Sequence, residues 1–204
     1  MSAAFAGFLA PVLFTALVIV QGIRQPDYSH IALPISALAA WPLGWVQVVN
    51  FCVAGVLCIV FARGIHRTVM PARRNIGAQL LILNGLGLIA AGAFSWRMVN
   101  GVPTETPAHV FGAIVTFLSL SIGLASLSRR LRRDAAWSDL ATYTLVTGLV
   151  VFALFVTMAF YAIEDGTPLH AWAGLIQRVL CAVWFTWIIV AARRLRHIDN
   201  VYTP

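Results

Sequence analysis

Charge is what this sequence has least of: acidic and basic residues make up 10% of its 204 positions, against about 25% in an ordinary soluble domain. With 60% hydrophobic residues and a mean hydropathy of +0.86, it cannot cover a water-exposed surface. A soluble domain, a disordered chain and a disulfide-stapled secreted module are all excluded. Cysteine is scarce too. Cys52, Cys58 and Cys181 all lie in apolar stretches, with neither a C-x-x-C nor a Cys/His zinc spacing, and are read as small packing residues. The sequence also lacks a P-loop, G-x-G-x-x-G, G-x-S-x-G and H-E-x-x-H, which removes the common nucleotide, serine-hydrolase and metalloprotease signatures.

What is present is apolar length. A spanning helix needs about 20 apolar residues, and six stretches supply them: Ala3–Ile23, Trp41–Ala62, Ile76–Trp96, Ala108–Leu127, Leu140–Ile163 and Ala171–Ala192. The expected fold is all-α, a polytopic membrane protein whose single domain over residues 1–204 is a six-transmembrane-helix bundle. The first stretch lacks a basic flank and exceeds the roughly 7–15 residues of a signal-peptide core, so it is expected to stay as a helix. Leu33-Pro34 interrupts the chain before the second span, and Asp27–Leu33 is read as a short interfacial segment.

Orientation follows from arginine. Residues 63, 67, 73 and 74 in the second connection, 129, 130, 132 and 133 in the fourth, and 193, 194 and 196 after the last span account for eleven of the fourteen cationic side chains. The other three connections hold Arg24 and Arg97 beside Asp27, Glu105, Glu164 and Asp165. Positively charged short loops stay cytoplasmic, so a multi-pass protein of the cell membrane with both termini cytoplasmic is expected. The net charge of +7 suggests anionic partners, but every arginine run abuts a helix end and has no interleaved aromatics. Membrane lipids rather than nucleic acid are therefore the expected partners.

Close helix contacts should run through small residues. Gly85 and Gly92 in the third span, with Gly112, Ser119 and Gly123 in the fourth, are expected to form one interface, and Asn50 and Asn84 to act as interhelical hydrogen-bond donors.

A short device recurs at the start of the outward segments. Thr106-Pro107-Ala108-His109 opens the fourth span, Thr167-Pro168-Leu169-His170 opens the sixth, and Asp27-Tyr28-Ser29-His30 is a looser copy. Thr before Pro is a helix start, the hydroxyl capping free N–H groups and the proline at the first position having none to leave unsatisfied. Each His then sits in a first turn, where the positive helix end favours neutral imidazole, the form a base or metal ligand needs. Glu105 sits just before the Thr106 cap, and Glu164 and Asp165 just before Thr167, so His109 and His170 each have a carboxylate nearby in sequence; coincidence among five histidines is the competing explanation.

Arg178 is the lone formal charge inside the six spans, eight residues past His170 and so about 12 Å down the helix axis. A charge at that depth is expensive and marks a partner or a cavity. Glu105 or Asp165, a lipid phosphate or carboxylate, or outward snorkelling are the fates open to it. Tyr28, Trp41, Trp96, Phe160, Tyr161 and Trp172, at similar depth, complete the outline of a pocket for an amphiphile.

Tyr28-Ser29-His30 with Ile35-Ser36-Ala37-Leu38, Asn84-Gly85, His109, and Gly174-Leu175-Ile176-Gln177-Arg178 with Trp184 together resemble the bacterial membrane family called domain of unknown function 998. The resemblance runs over nearly the whole chain and implies six helices but no particular reaction. That family often carries an acid after the third span, where Ser95-Trp96-Arg97 stand here.

The functional expectation is an outward-facing pocket that binds or acts on a lipid or isoprenoid, a hydrophobic or amphiphilic small molecule. His109, His170 and His30 would be bases, Glu105 or Asp165 the acid, and Arg178, Trp41, Trp96, Tyr161 and Trp172 the binding groups. No cofactor is expected. A metal on His30, His109 and His170 is the less favoured variant, because zinc histidines usually have tighter spacing. An acid-initiated prenyl cyclase or isomerase, and a non-enzymatic sensing, scaffold or transport subunit, are the alternatives.

Overall fold

The structure is a computed structural model describing residues 1–70, 74–164 and 166–202, with backbone alone for 201 and 202. Arg73 and Asp165, both used above, lie outside the described residues. Six helices are long and apolar enough to cross a bilayer: α1 (Ala3–Arg24), α2 (Gly44–Thr68), α3 (Ile76–Ala93), α4 (Pro107–Leu131), α5 (Ala141–Tyr161) and α6 (Ala173–Tyr202). The chain is a multi-pass membrane protein.

Three starts have side-chain caps where the sequence carries a suitable oxygen. Ser2 accepts from Phe5 N–H, Asn75 from Ala78 N–H at 3.1 Å and Thr106 from His109 N–H at 3.2 Å, with Pro107 opening α4 as expected. The other boundaries shift for local reasons. Before α2 the interfacial turn is followed by a 3-10 helix, Ile35–Ala40, and α2 starts at Gly44 rather than Trp41. α3 stops at Ala93, because residues 97–104 form an unexpected hairpin of β1 (Arg97–Val99) and β2 (Val102–Thr104). Its turn is Asn100-Gly101, both at positive φ, a strong two-residue hairpin signal.

Each helix packs on its neighbours in sequence, and α6 returns to α1, closing a ring. The seams differ. At α2/α3 the Cα of Gly85 lies so near the other helix that a Cβ would be 2.7 Å from the Gly55 carbonyl oxygen, and a Cβ on Gly55 would meet the Gly85 oxygen at 2.6 Å. α3 and α4 do pack closely, but Gly85 and Gly92 face α2, contrary to expectation. Gly77 and Gly87 meet α4 instead, against Leu127 and Thr116, while Gly112 lies on Ala91. A helix enclosed on two sides needs small residues on two stripes, and one stripe cannot serve both neighbours.

Polar groups tie the ring as expected for the two asparagines. Asn84 Nδ2 donates to Thr116 O at 3.1 Å and Asn50 Nδ2 to Phe14 O at 3.2 Å, while Trp187 Nε1 donates to Thr144 Oγ1 at 3.0 Å. Met70 N–H donates to Asp134 at 3.0 Å and Arg194 pairs with Asp139, joining connection two to four and four to the C-terminal segment. Connections one, three and five gather at the opposite, mouth end.

Because a Cβ at position 85 would press on backbone, Gly85→Ala should lower stability by about 1–3 kcal/mol, read from unfolding in detergent. Leu86→Ala, on an exposed side chain, should cost no more than about 0.5 kcal/mol. Equal losses would contradict the close α2/α3 contact.

Candidate functional site

Connection one is folded onto the start of α6. A turn closes residues 29–33: Leu33 N–H donates to Ser29 O at 2.8 Å, and Ser29 Oγ accepts from Ala32 N–H at 3.2 Å. Ser29 is thus the capping side chain, and the looser third copy of the His device forms no helix start. The turn delivers Ile31 O to Leu175 N–H at 2.9 Å, satisfying one of the free N–H groups that every helix N-terminus presents. Ile35 N–H donates to Gln177 Oε1 at 2.5 Å. Gly174 permits this approach, since a Cβ there would meet His30 O at 2.8 Å and Ile31 O at 2.9 Å.

At the centre of this docking is Arg178. Its Nη1 donates to Gly174 O at 2.9 Å and Leu33 O at 3.3 Å, and its Nη2 to Tyr28 Oη at 2.7 Å and His30 Nδ1 at 3.2 Å. The guanidinium carbon lies 5.6 Å from the Tyr28 ring centroid. Tyr28 is 5% exposed and passes the chain on, its hydroxyl donating to Pro34 O at 3.0 Å. Burial raises the pKa of that hydroxyl, with the Arg178 hydrogen bond and charge opposing, so it keeps its proton. His30 accepts at Nδ1, which places the proton of the neutral ring on Nε2. Its imidazole rests on Gly22 of α1, where a Cβ would come within 2.7 Å of Nε2.

Arg178 is therefore held inside the bundle, as a costly charge should be, but by different groups than a sequence reading would choose. No carboxylate pairs with it among the described residues. Glu105 lies elsewhere, where burial and the neighbouring Glu164 raise its pKa. The reason is positional: connection one, rather than three or five, lies over α6.

Beside the cluster a groove of about 670 Å³ runs between α1 and α6, lined by Arg178 at one end and by Phe14, Val18, Ile35, Phe185 and Ile189 among others. The helices touch at the far end, where a Cβ on Gly7 would meet Ala192 at 2.8 Å. Phe14 and Phe185, ring centroids 5.4 Å apart and edge to face, join the two walls.

A family model described as Protein of unknown function (DUF998) matches residues 8–194. The chain belongs to this family. No curated protein and no solved structure compared with it matches. Two segments that carry the resemblance in this DUF998 chain, 28–38 and 174–178, are the ones bonded to each other at Arg178.

The remaining expected residues are dispersed. His109, third residue of α4 and 5% exposed, contacts Ala91 O through Nδ1 at 2.7 Å and meets Trp96 and Phe51 edge to face. It borders a separate cavity of about 30 Å³ with Ser36 and Gln177, room for one water. His170 opens a 3-10 turn, and α6 begins only at Ala173. Thr167 is not its cap. The Thr167 hydroxyl donates to Glu164 O at 2.7 Å, and Leu169 N–H returns to Tyr161 O at 2.8 Å, so this loop closes α5 instead of opening α6. Among the described residues no group of three or more His, Cys, Asp or Glu is placed to hold a metal. Trp41 packs on Tyr28 at 5.7 Å, while Tyr161 and Trp172 are exposed. Tyr28, one of the aromatics in the expected pocket outline, holds Arg178 rather than lining the groove, and Gln177 is a site residue outside that outline. The signal for Gln177 is the resemblance, whose segment 174–178 contains it.

Burial, together with the adjacent Arg178, lowers the His30 pKa below its usual 6.5. The unfolded chain then binds this proton more readily, so the stability from the contact is complete above pH 6.5 and is lost as pH falls below it. His30→Gln keeps an acceptor and does not titrate. The melting temperature of the parent should fall relative to His30→Gln as the medium is acidified; parallel curves would contradict a neutral His30 in the cluster.

Proposed function

We propose that the protein binds an amphiphile of the bilayer, a lipid or isoprenoid, in the groove between α1 and α6, with the polar end toward Arg178 and the chain along the apolar walls. The observation that carries this reading is a groove of about 670 Å³, within the roughly 300–1,000 Å³ of small-molecule sites, with Arg178 among its lining at one end and predominantly apolar side chains elsewhere. Arg178 to Ile189 spans about 16 Å of helix axis, a reach suited to an extended hydrocarbon. The arginine-rich connections two and four, with both termini, are read as cytoplasmic. The polar end of the groove then lies in the outer leaflet of the cell membrane, and membrane lipids are the partners.

A catalytic version has one observation in its favour: Glu105, with its raised pKa, is a carboxyl able to hand on a proton, as acid-initiated prenyl isomerisation or cyclisation requires. Binding has the stronger support. Neither His30 nor His109 has a carboxylate hydrogen-bond partner among the described residues, whereas acid–base catalysis needs such groups within reach of one substrate.

A long-chain amphiphile carrying a diazirine, photolysed in detergent with the purified protein, should label residues 11–19 and 178–189. Ala182→Trp, which fills the groove from an exposed small position, should reduce that labelling by about tenfold or more with the melting temperature retained. Labelling spread evenly over all six helices and indifferent to Ala182→Trp would overturn the reading.

A further inference from the structure

A groove open to the bilayer is filled by whatever tail is at hand, so selectivity must come from its polar end. There the chemistry is specific. Four hydrogen bonds from the two terminal nitrogens of Arg178 go to neutral acceptors: the Tyr28 hydroxyl, His30 Nδ1 and the carbonyls of Leu33 and Gly174. These orient the fork and solvate it, but they cancel no charge. Among the described residues no acid pairs with it; Asp27 on the same connection is exposed and makes no ion pair with it. Arg178, half-buried and carrying one full positive charge, therefore lines the head of an apolar groove, with Nε–H not engaged in those four bonds. In a medium of low dielectric such a charge is stabilised chiefly by an anion, and a guanidinium already fixed by its neighbours loses little freedom when one binds.

We infer that the groove selects amphiphiles with an oxyanion headgroup, a carboxylate or a phosphate monoester, which docks on Arg178 while the chain follows α1 and α6. The inference rests on the groove reading above and adds the headgroup class. A neutral head leaves the guanidinium uncompensated, and a cationic head is repelled. Tyr28 and His30 are positioning residues: they hold the guanidinium without adding charge of their own.

The test is competition for the photoreactive probe by three amphiphiles of one chain length, a fatty acid, an alkyl phosphate and the alcohol, at equal mole fraction in uncharged micelles and mildly alkaline pH. The acid, the phosphate or both should displace the probe about tenfold or more better than the alcohol, the gain of a charge-assisted hydrogen bond. Arg178→Gln should bring all three to parity, and Arg178→Lys should keep part of the preference. Superiority of the carboxylate assigns a fatty acid and superiority of the phosphate a phosphate monoester, either supporting the inference. An alcohol that competes equally in the parent protein overturns it while leaving the groove reading intact, and absence of groove labelling by any probe overturns both. Because the comparison is made first on the parent protein, a poorly folding variant does not decide the outcome.

Discussion

A single guanidinium organises the mouth of this protein. Arg178, the sixth residue of α6, would be costly in a membrane-spanning helix if left to itself, since a charged side chain is penalised within a span, by about 2.5–3.5 kcal/mol or more at its centre and by less toward its ends. Here it is accommodated by bringing acceptors to it. Connection one folds across the start of α6 and supplies Leu33 O, the Tyr28 hydroxyl and His30 Nδ1, and α6 itself supplies Gly174 O. The same folding places Ile31 O on a free N–H of α6 and Ile35 N–H on Gln177. Hydrogen bonds to a charged group are each worth about 1.5–3 kcal/mol, so the charge that threatens the span becomes the reason for the loop's conformation.

The ring behind this cluster is built unevenly. Glycine contacts bring the backbones of α2, α3 and α4 nearly together, whereas α1 and α6 meet at the Gly7 end and then leave room between them. Ile35 and Arg178 line that room at the mouth, so the docking of connection one also shapes the head of the groove. Packing and electrostatics therefore converge on one seam. The tight seams make a scaffold, and the loose one presents a charge beside apolar walls.

Much of this was legible in the sequence, and the misses have physical causes. Apolar length alone revealed the six spans, because backbone polar groups in lipid have no outlet except a helix. Thr106-Pro107 announced α4 since a hydroxyl and a missing N–H act locally. The same dipeptide at Thr167 did not open α6, because Leu169 N–H is taken by the end of α5 and the turn belongs to the preceding helix. Gly85 and Gly92 pointed to close packing but not to which neighbour, a question that requires the rotation of α3 between two partners. Asn100-Gly101 was a readable hairpin signal hidden at the end of an apolar run. That Arg178 would be paired followed from its depth. That its partners would be a tyrosine, a histidine and two carbonyls, with no carboxylate among the described residues, depended on which loop covers α6, and no spacing rule carries that information.

The central claim is that Tyr28 and Arg178 hold connection one to α6 through a direct interaction, and a double-mutant cycle measures it. Unfolding free energies of the parent, Tyr28→Phe, Arg178→Met and the double variant should reveal a coupling of about 0.5–3 kcal/mol, with the second substitution costing less once the first is made. Losses that add within about 0.5 kcal/mol would mean that the two side chains act independently, and the account of the mouth built on their contact would be contradicted.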